Sequence, residues 1–347
     1  EIGLQKEQDA ADTLFPFHRE IGGKEPRYYQ EIAINRAVQT VVRGQKRILL
    51  TMATGTGKTF VAFQIVWKLW KGRRKTRILY LADRNVLIDQ AKDRDFAPLG
   101  EAATKINARV VKSREVYFAI YQAIADHDNQ PGLFHKYPPD FFDLIIVDEC
   151  HRGSANEEGS WRQILEYFSA AAQIGMTATP KRDANVDTYE YFGDPIYTYS
   201  LKTGIDDGFL APYRVRRIVP SADAMGWQPA PGELDRFGRE IPDGLYGTKE
   251  FERVVSLLAR TRAVAKHLSQ FLRATDPMGK TIVFCVDQEH AEDLRFALAQ
   301  ENADLVKKYP HYIARVVSDE KKIGRGHLDN FQDPEKPTPV ILTDRKC

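Results

Sequence analysis

The chain has 347 residues with 50 Lys+Arg against 48 Asp+Glu, a formal net charge of +2, and 43% of its residues are hydrophobic. At about 150 residues per domain this suggests two domains, while the near-neutral balance excludes a polybasic tail protein and no apolar window approaches a membrane span. Cys150, Cys285 and Cys347 are too few and too scattered for a disulfide framework, and no basic stretch followed by an apolar run opens the chain, so the expected compartment is the cytoplasm, away from any membrane.

Short apolar runs alternate with longer helical patterns, which predicts βαβ units and a mostly parallel sheet. In chain order the expected strands are Arg47–Met52, Ile78–Ala82, Val116–Ile120, Leu144–Val147 and Gln173–Thr177. Between the first two lies a helix over Phe60–Trp70, in which Val61, Ile65, Val66 and Leu69 recur at helical spacing. These elements make one domain over residues 22–210, preceded by an arm over residues 1–21. A second, shorter series over residues 211–347 has strands expected at Tyr213–Val219, Thr281–Cys285, Ile313–Val317 and Val340–Thr343. Its long helix is expected over about Glu250–Ala274, with Val254, Leu257, Leu258, Val264, Leu268 and Phe271 facing inward. Pro and Gly recur without period between Ser221 and Gly247, which predicts an exposed loop. The first residue is Glu1 rather than Met, which reads as part of a longer polypeptide.

Directly after the first strand comes Met52-Ala53-Thr54-Gly55-Thr56-Gly57-Lys58-Thr59, and a helical pattern starts at once. In that context the run is a P-loop rather than a Gly-rich turn with a stray Lys. Glycines let successive N–H groups point at phosphate oxygens, aided by the helix N-terminus. Thr54, Gly55, Thr56 and Gly57 would form the cradle, Lys58 would neutralise the β and γ phosphates of ATP, and the Thr59 hydroxyl would ligate Mg²⁺. Met52 stands where Gly or Ala is usual, a mild departure.

The apolar strand Leu144-Ile145-Ile146-Val147 ends in Asp148-Glu149-Cys150-His151. Open α/β sheets place ligands at the carboxyl ends of strands, so Asp148 is assigned to Mg²⁺ through water and Glu149 to activation of the attacking water. Cys150-His151 is neither a nucleophile pair, since adjacent residues rarely face each other, nor a zinc site, for want of further ligands. Cys150 is expected to be a buried filler and His151 a polar contact near the γ-phosphate.

Together with Gly175-Met176-Thr177-Ala178-Thr179-Pro180, these runs resemble motifs I, II and III of superfamily-two helicases and translocases. The resemblance implies tandem RecA-like P-loop domains, with Thr177 and Thr179 coupling the acid box to loss of the γ-phosphate. Arg27-Tyr28-Tyr29-Gln30 looks like the adenine-recognising element, where Gln30 would pair with the base and Arg27 or Tyr29 pack on it. Leu81-Ala82-Asp83-Arg84 and Ile120-Tyr121-Gln122 resemble nucleic-acid motifs, so Asp83, Arg84 and Gln122 are candidate DNA contacts that position without reading bases.

Within the superfamily, Ile146 to Gly153, Phe192-Gly193-Asp194-Pro195, Asp206-Asp207-Gly208-Phe209-Leu210-Ala211-Pro212-Tyr213 and Val283-Phe284-Cys285 look most like the motor subunit of type I restriction–modification enzymes. That family works on double-stranded DNA with methyltransferase and specificity subunits as partners. Two departures stand out. No nuclease set is found in Glu1 to Gly23, and the chain ends near Thr343, where motif V should begin. Gly324-Arg325-Gly326 mimics motif VI but precedes that strand, so it is rejected as the arginine finger. The second domain is therefore expected to be incomplete, and the chain to bind ATP but hydrolyse it poorly, since a finger is worth about 10³–10⁵ in rate.

Lys71 to Arg77 is the densest basic run and reads as a solvated loop; Lys181, Arg182, Arg214, Arg216 and Arg217 are better placed for a cleft. Aromatics do not interleave with these charges, which favours tracking of a duplex backbone over base stacking. Asp287 is expected to cap the helix carrying His290. The alternatives are a repair or type III restriction helicase and, from another class, a P-loop kinase acting on a small molecule, against which the acid box and the Thr-Ala-Thr strand both count.

Overall fold

Along β1 (Arg47–Met52) successive side chains go to opposite sides: Ile48, Leu50 and Met52 join one core, Leu49 another, and all four are fully buried. A strand buried on both faces belongs inside a sheet covered by helices on each side. That is the arrangement of the first of two compact units, which divide between Arg214 and Val215. The computed structural model describes residues 15–20, 23–106, 110–126, 130–150, 155–179, 182–183, 186–219, 258–317 and 321–344, with short runs of one to three residues between 226 and 246.

In the first unit, α1 (Tyr28–Val42) precedes β1, and α2 (Lys58–Lys71), β2 (Ile78–Ala82) and α3 (Asn85–Gln90) follow it. Next come β3 (Ala103–Lys105), β4 (Val116–Ile120), the single turn α4 (Tyr121–Ile124), β5 (Leu144–Asp148), α5 (Ala155–Tyr167) and β6 (Ala172–Thr177). The hairpin β7 (Arg182–Asp183) and β8 (Val186–Asp187), α6 (Thr188–Phe192), β9 (Tyr197–Tyr199) and α7 (Leu201–Asp206) complete it. The seven-stranded sheet runs β3-β4-β2-β5-β6-β1-β9, with every pair parallel. Helices α1 and α2 pack on one face, where Val61, Ile65, Val66 and Leu69 are buried as their spacing predicts. Trp161, Ile164 and Leu165 of α5 cover the other. Because all strands run the same way, their C-terminal ends form one edge, and the loops leaving β1, β2, β4, β5 and β6 there carry the sequence motifs.

Besides the two-residue hairpin strands β7 and β8, two short strands of the seven-stranded sheet escape the sequence reading. β3 has only three residues, and β9 lies beside β1 with Thr51 opposite Thr198, its Tyr199 carbonyl accepting from Ala53 N at 2.9 Å. The expected strand Tyr213–Val219 is a correction: this run is irregular, and Tyr213, Val215, Ile218 and Val219 are exposed. Its alternating β-branched residues carry the propensity for a strand, but propensity reflects packing on a pleated surface that these side chains lack.

The second unit has α8 (Leu258–Thr275), β10 (Thr281–Phe284), α9 (Gln288–Glu301), α10 (Ala303–Lys308), β11 (Ile313–Val316), α11 (Lys321–Gln332) and β12 (Val340–Thr343). Its parallel sheet is small, three strands in the order β10-β12-β11. The phase expected for its long helix is also corrected. Thr261, Ala265, Ser269 and Leu272 form the buried stripe, Val264 and Leu268 are half-buried, and Leu258 and Phe271 are exposed. The reason is a polar contact across to α9: the buried Asn302, at the end of that helix, donates from Nδ2 to Ser269 Oγ at 2.7 Å, which fixes the rotation of α8. Val254 and Leu257 lie outside the described residues. Asp287 caps α9 through His290 N at 2.7 Å. Gly324-Arg325-Gly326 lies inside α11 with Arg325 exposed. Both units are mostly parallel α/β, the RecA-like arrangement.

Candidate functional site

The loop between β1 and α2 is shaped by two left-handed glycines, Gly55 at φ +84° and Gly57 at φ +81°. At Gly57 a Cβ would stand 2.6 Å from Gln30 Nε2, so the position also requires close approach. Gln30 reaches the loop from the first turn of α1, donating to the Thr56 carbonyl at 2.8 Å and accepting from Arg27 N at 2.9 Å. The Thr56 hydroxyl donates to the Ala53 carbonyl at 2.6 Å and is buried; Thr54 and Gly55 are exposed. Lys58 and Thr59 open α2, whose N-terminal N–H groups face the loop.

Opposite the loop stands the end of β5. Strand parity puts Asp148 on the same face as Leu144 and Ile146, toward α2. Glu149 follows with φ +53°, rare for a side chain of its size. From that turn its Oε1 lies 3.2 Å from Lys58 Nζ, in a pair whose side chains are 9% and 13% exposed. Asp148 Oδ1 accepts from Glu149 N at 3.0 Å and Oδ2 from the Tyr80 hydroxyl at 2.6 Å. Tyr80 is fully buried on β2. Burial pushes the Asp148 carboxyl above its ordinary range; the Tyr80 hydrogen bond opposes this, the Glu149 charge adds to it and the Lys58 charge subtracts. Burial, followed by the Asp148 charge, raises the Tyr80 phenol well above its usual value, so it remains a donor.

The acid loop is tied to the next strand by Cys150 N, which donates to the Met176 carbonyl at 3.2 Å; Cys150 itself is buried. Thr177 is buried at the end of β6 and its hydroxyl accepts from Thr179 N at 3.2 Å, while Thr179 is exposed. His151 lies outside the described residues.

Around the Gln30 side of the loop the expectation for Tyr29 is corrected. Tyr29 is fully buried, stacked on Tyr199 at 4.0 Å between ring centroids, so it offers no face to a base. Its neighbour Tyr28 is exposed and shares Asp207 with Tyr199, whose hydroxyl donates to Oδ2 at 2.7 Å. Arg27 is exposed and stands 4.7 Å over the Phe209 ring. Leu210 closes on the loop, 3.2 Å from where a Gly55 Cβ would be.

Asp83 and Arg84 leave β2 and Gln122 leaves the adjacent β4, so all three lie at the same sheet edge as the loop. Arg84 Nε is 3.8 Å from Asp83 Oδ2, with Arg84 exposed and Asp83 largely enclosed. Lys181 is not among the described residues. Thus Lys58, Asp148 and Glu149 are brought together, with Thr59 beside Lys58 in the first turn of α2. Sequence reading missed Tyr80. Its signal was present: a phenol inside the aliphatic run Ile78-Leu79-Tyr80-Leu81-Ala82 needs a polar partner once buried.

Among the described residues no three His, Cys, Asp or Glu side chains are grouped to hold a metal, and no helix is long and apolar enough to cross a membrane. A threonine hydroxyl and an aspartate carboxylate, as at Thr59 and Asp148, are oxygen donors of the kind a magnesium ion takes.

Residues 23–182 match a protein family described as the res subunit of type III restriction enzymes. The chain is 52% identical over 322 residues to the endonuclease subunit of the Escherichia coli type I restriction enzyme EcoAI, covering 92% of this chain and 40% of that protein. It is 31% identical to the endonuclease subunit of EcoKI from Escherichia coli strain K12, over 92% of this chain and 30% of that one. A solved fragment assigned to the HsdR subunit of a type I restriction enzyme from Vibrio vulnificus YJ016 superposes with a TM-score of 0.75 at 53% identity, covering 99% of this chain and 57% of that one. The chain thus spans less than half the length of the curated relatives it matches. These matches bear out the resemblance that the motifs carry, to superfamily-two helicases and, within them, to the endonuclease subunit of type I restriction enzymes.

Proposed function

We propose that this chain, similar over most of its length to type I restriction endonuclease subunits, is the ATP-driven motor region of such a subunit and moves along double-stranded DNA. The observation that carries the reading is the meeting of Lys58 and Glu149 at 3.2 Å beside the buried Asp148, at the sheet edge that also holds the two-glycine loop. A phosphate cradle facing a carboxylate pair is suited to breaking a phosphoanhydride bond with water.

In this reading the N–H groups of residues 54–59 bind the phosphates, and Lys58 turns from Glu149 toward the β and γ oxygens. Glu149 is then free to orient a water and take its proton. Thr59 and Asp148 hold Mg²⁺, which supplies neutralisation of phosphate charge. Gln30 keeps one N–H and one lone pair beyond those used by Thr56 and Arg27, enough to meet an adenine edge. Thr177, Thr179 and His151 transmit loss of the γ-phosphate. Asp83, Arg84 and Gln122 touch the DNA backbone. Residues 22–210 form the first motor domain and 211–347 belong to the second, with methyltransferase and specificity subunits as partners in a cytoplasmic complex.

The type III name of the matching family covers the first unit, and the type I relatives extend across both, which favours the type I reading over the type III helicase. The test is ATP hydrolysis by the full-length polypeptide with linear duplex DNA, single strands, RNA or no nucleic acid. Stimulation by duplex, absent in Lys58→Ala, is expected. Stimulation by RNA or single strands alone would move the assignment to another helicase, and indifference to all of them would revive the kinase.

A further inference from the structure

A nucleotide held by its phosphates still needs a flat surface for its base, and the ring next to Gln30 is already taken. Tyr29 is stacked on Tyr199 and fully buried. Two other aromatic rings lie open beside it, Tyr28 at 50% and Phe209 at 36% exposed. Tyr28 is tied through its hydroxyl to Asp207 and stands edge-on to Tyr29 and Tyr199. Phe209 arrives from far along the first unit because the chain turns back after α7. Phe209 N and Leu210 N both donate to the Gly204 carbonyl at 2.9 Å, which seats Leu210 against the phosphate loop at Gly55. The Phe209 ring then lies 5.2 Å from Tyr29 and 6.0 Å from Tyr28 between centroids.

Over that ring, 4.7 Å from its centroid, stands the Arg27 guanidinium. Arg27 is exposed and makes no ion pair among the described residues; from Nη1 it donates to the Tyr29 hydroxyl at 3.3 Å. A cation resting on a ring at an exposed site is held by a weak attraction, so a purine can take its place on the ring face. The guanidinium, on a flexible stem, can then cover the base from the other side. Both surfaces are planar, and the slot between them accepts a planar ring system. Arg27 N is itself bonded to Gln30 Oε1, so the cover of the slot and the amide that meets the base edge belong to one turn.

We infer that Phe209 is the residue on which the nucleotide base stacks, with Arg27 closing on its other face, and that this slot favours purine over pyrimidine nucleotides. The inference rests on the ATP reading above and adds a base contact from outside the Arg27–Gln30 turn. Removing the aromatic partner of a stacked base weakens binding by about ten-fold, and only for ligands that carry a base.

The test is titration calorimetry of ATP, CTP and inorganic tripolyphosphate in magnesium against the intact chain, for wild type, Phe209→Ala and Phe209→Tyr. Thermal melts check that each variant is folded. Phe209→Ala is expected to lose about ten-fold in ATP affinity, less in CTP affinity and nothing in tripolyphosphate affinity. Phe209→Tyr, which keeps the ring, should bind as wild type does. Phe209→Trp gives a direct reading that does not depend on the alanine variant folding: its added emission should be quenched by ATP and not by tripolyphosphate. Full ATP affinity in Phe209→Ala, an equal loss for ATP and tripolyphosphate, or Trp emission indifferent to ATP would overturn the inference and leave Phe209 a packing residue. Equal losses for ATP and CTP would overturn the purine preference. Wild type that binds neither ATP nor tripolyphosphate would instead remove the ATP reading, and the inference with it.

Discussion

In the first unit the charges at the strand ends are enclosed: Asp148 is buried, and Lys58 and Glu149 are nearly so and face each other. In the second unit the ion pair Arg273 with Asp304 lies at the surface, and Arg295 with Glu292 is only half-buried. The sheets differ in the same way. β5 is buried along its whole length, whereas β10 leaves Ile282 and Phe284 exposed. Enclosing charge costs several kcal/mol per ion unless a partner offsets it, so a fold that gathers a lysine and two carboxylates at one covered edge has placed its chemistry there. In the second unit one carboxylate, Asp344 after β12, is buried at a strand end.

The largest expected effect that sharpens this contrast is on turnover. Lys58→Ala should lower ATP hydrolysis by about 10²–10³-fold or more, the usual cost of removing a charge aimed at the transition state, measured in a coupled assay with duplex DNA. A fall of less than ten-fold would place phosphate neutralisation elsewhere. Next come the cores. Ile146→Ala in β5 should cost about 2–5 kcal/mol, against about 0.5 kcal/mol or less for Ile282→Ala on β10. Urea unfolding of each variant, with the slope checked for constancy, reads both. Equal costs would break the distinction between the sheets.

A smaller effect is expected at Gly57. Alanine there must adopt φ +81° and push aside Gln30 Nε2, so Gly57→Ala should lose about 1–2 kcal/mol. Nucleotide affinity should fall with it, by titration calorimetry. The smallest concerns Asp207, held below the usual carboxylate range first by the Tyr28 and then by the Tyr199 hydrogen bond. A depressed folded-state value adds stability at pH above the ordinary carboxylate value of about 3.9 and loses it as pH falls below that. Asp207→Asn should therefore flatten the acid limb of the stability curve below about pH 4, seen by thermal melts across pH; an unchanged limb would show that the two tyrosines do not hold the carboxylate.

Residues 52–59 and 144–149 were legible because each motif is contiguous, and a contiguous motif between a strand and a helix fixes its own geometry. Tyr80 was not, since its partner lies 68 residues away and only the sheet order brings β2 beside β5. The irregular run 213–219 shows the converse failure, with strand-like composition and no ladder. The phase of α8 was misread because Ser269 counts as polar in any apolar pattern, yet a single hydrogen bond to Asn302 draws it inward. Tyr29 was misread for a related reason: the sequence shows an aromatic beside Gln30 but not that Tyr199, supplied by the short β9, already covers its face.

The central claim, that nucleotide chemistry belongs to the covered edge of the first unit, is tested most directly by photolabelling the intact chain with an azido-ATP in magnesium and mapping the modified peptides. The account predicts label near Arg27–Gln30 or Phe209–Leu210, competed by ATP and lost in Lys58→Ala. Specific label confined to residues 258–344 would contradict it.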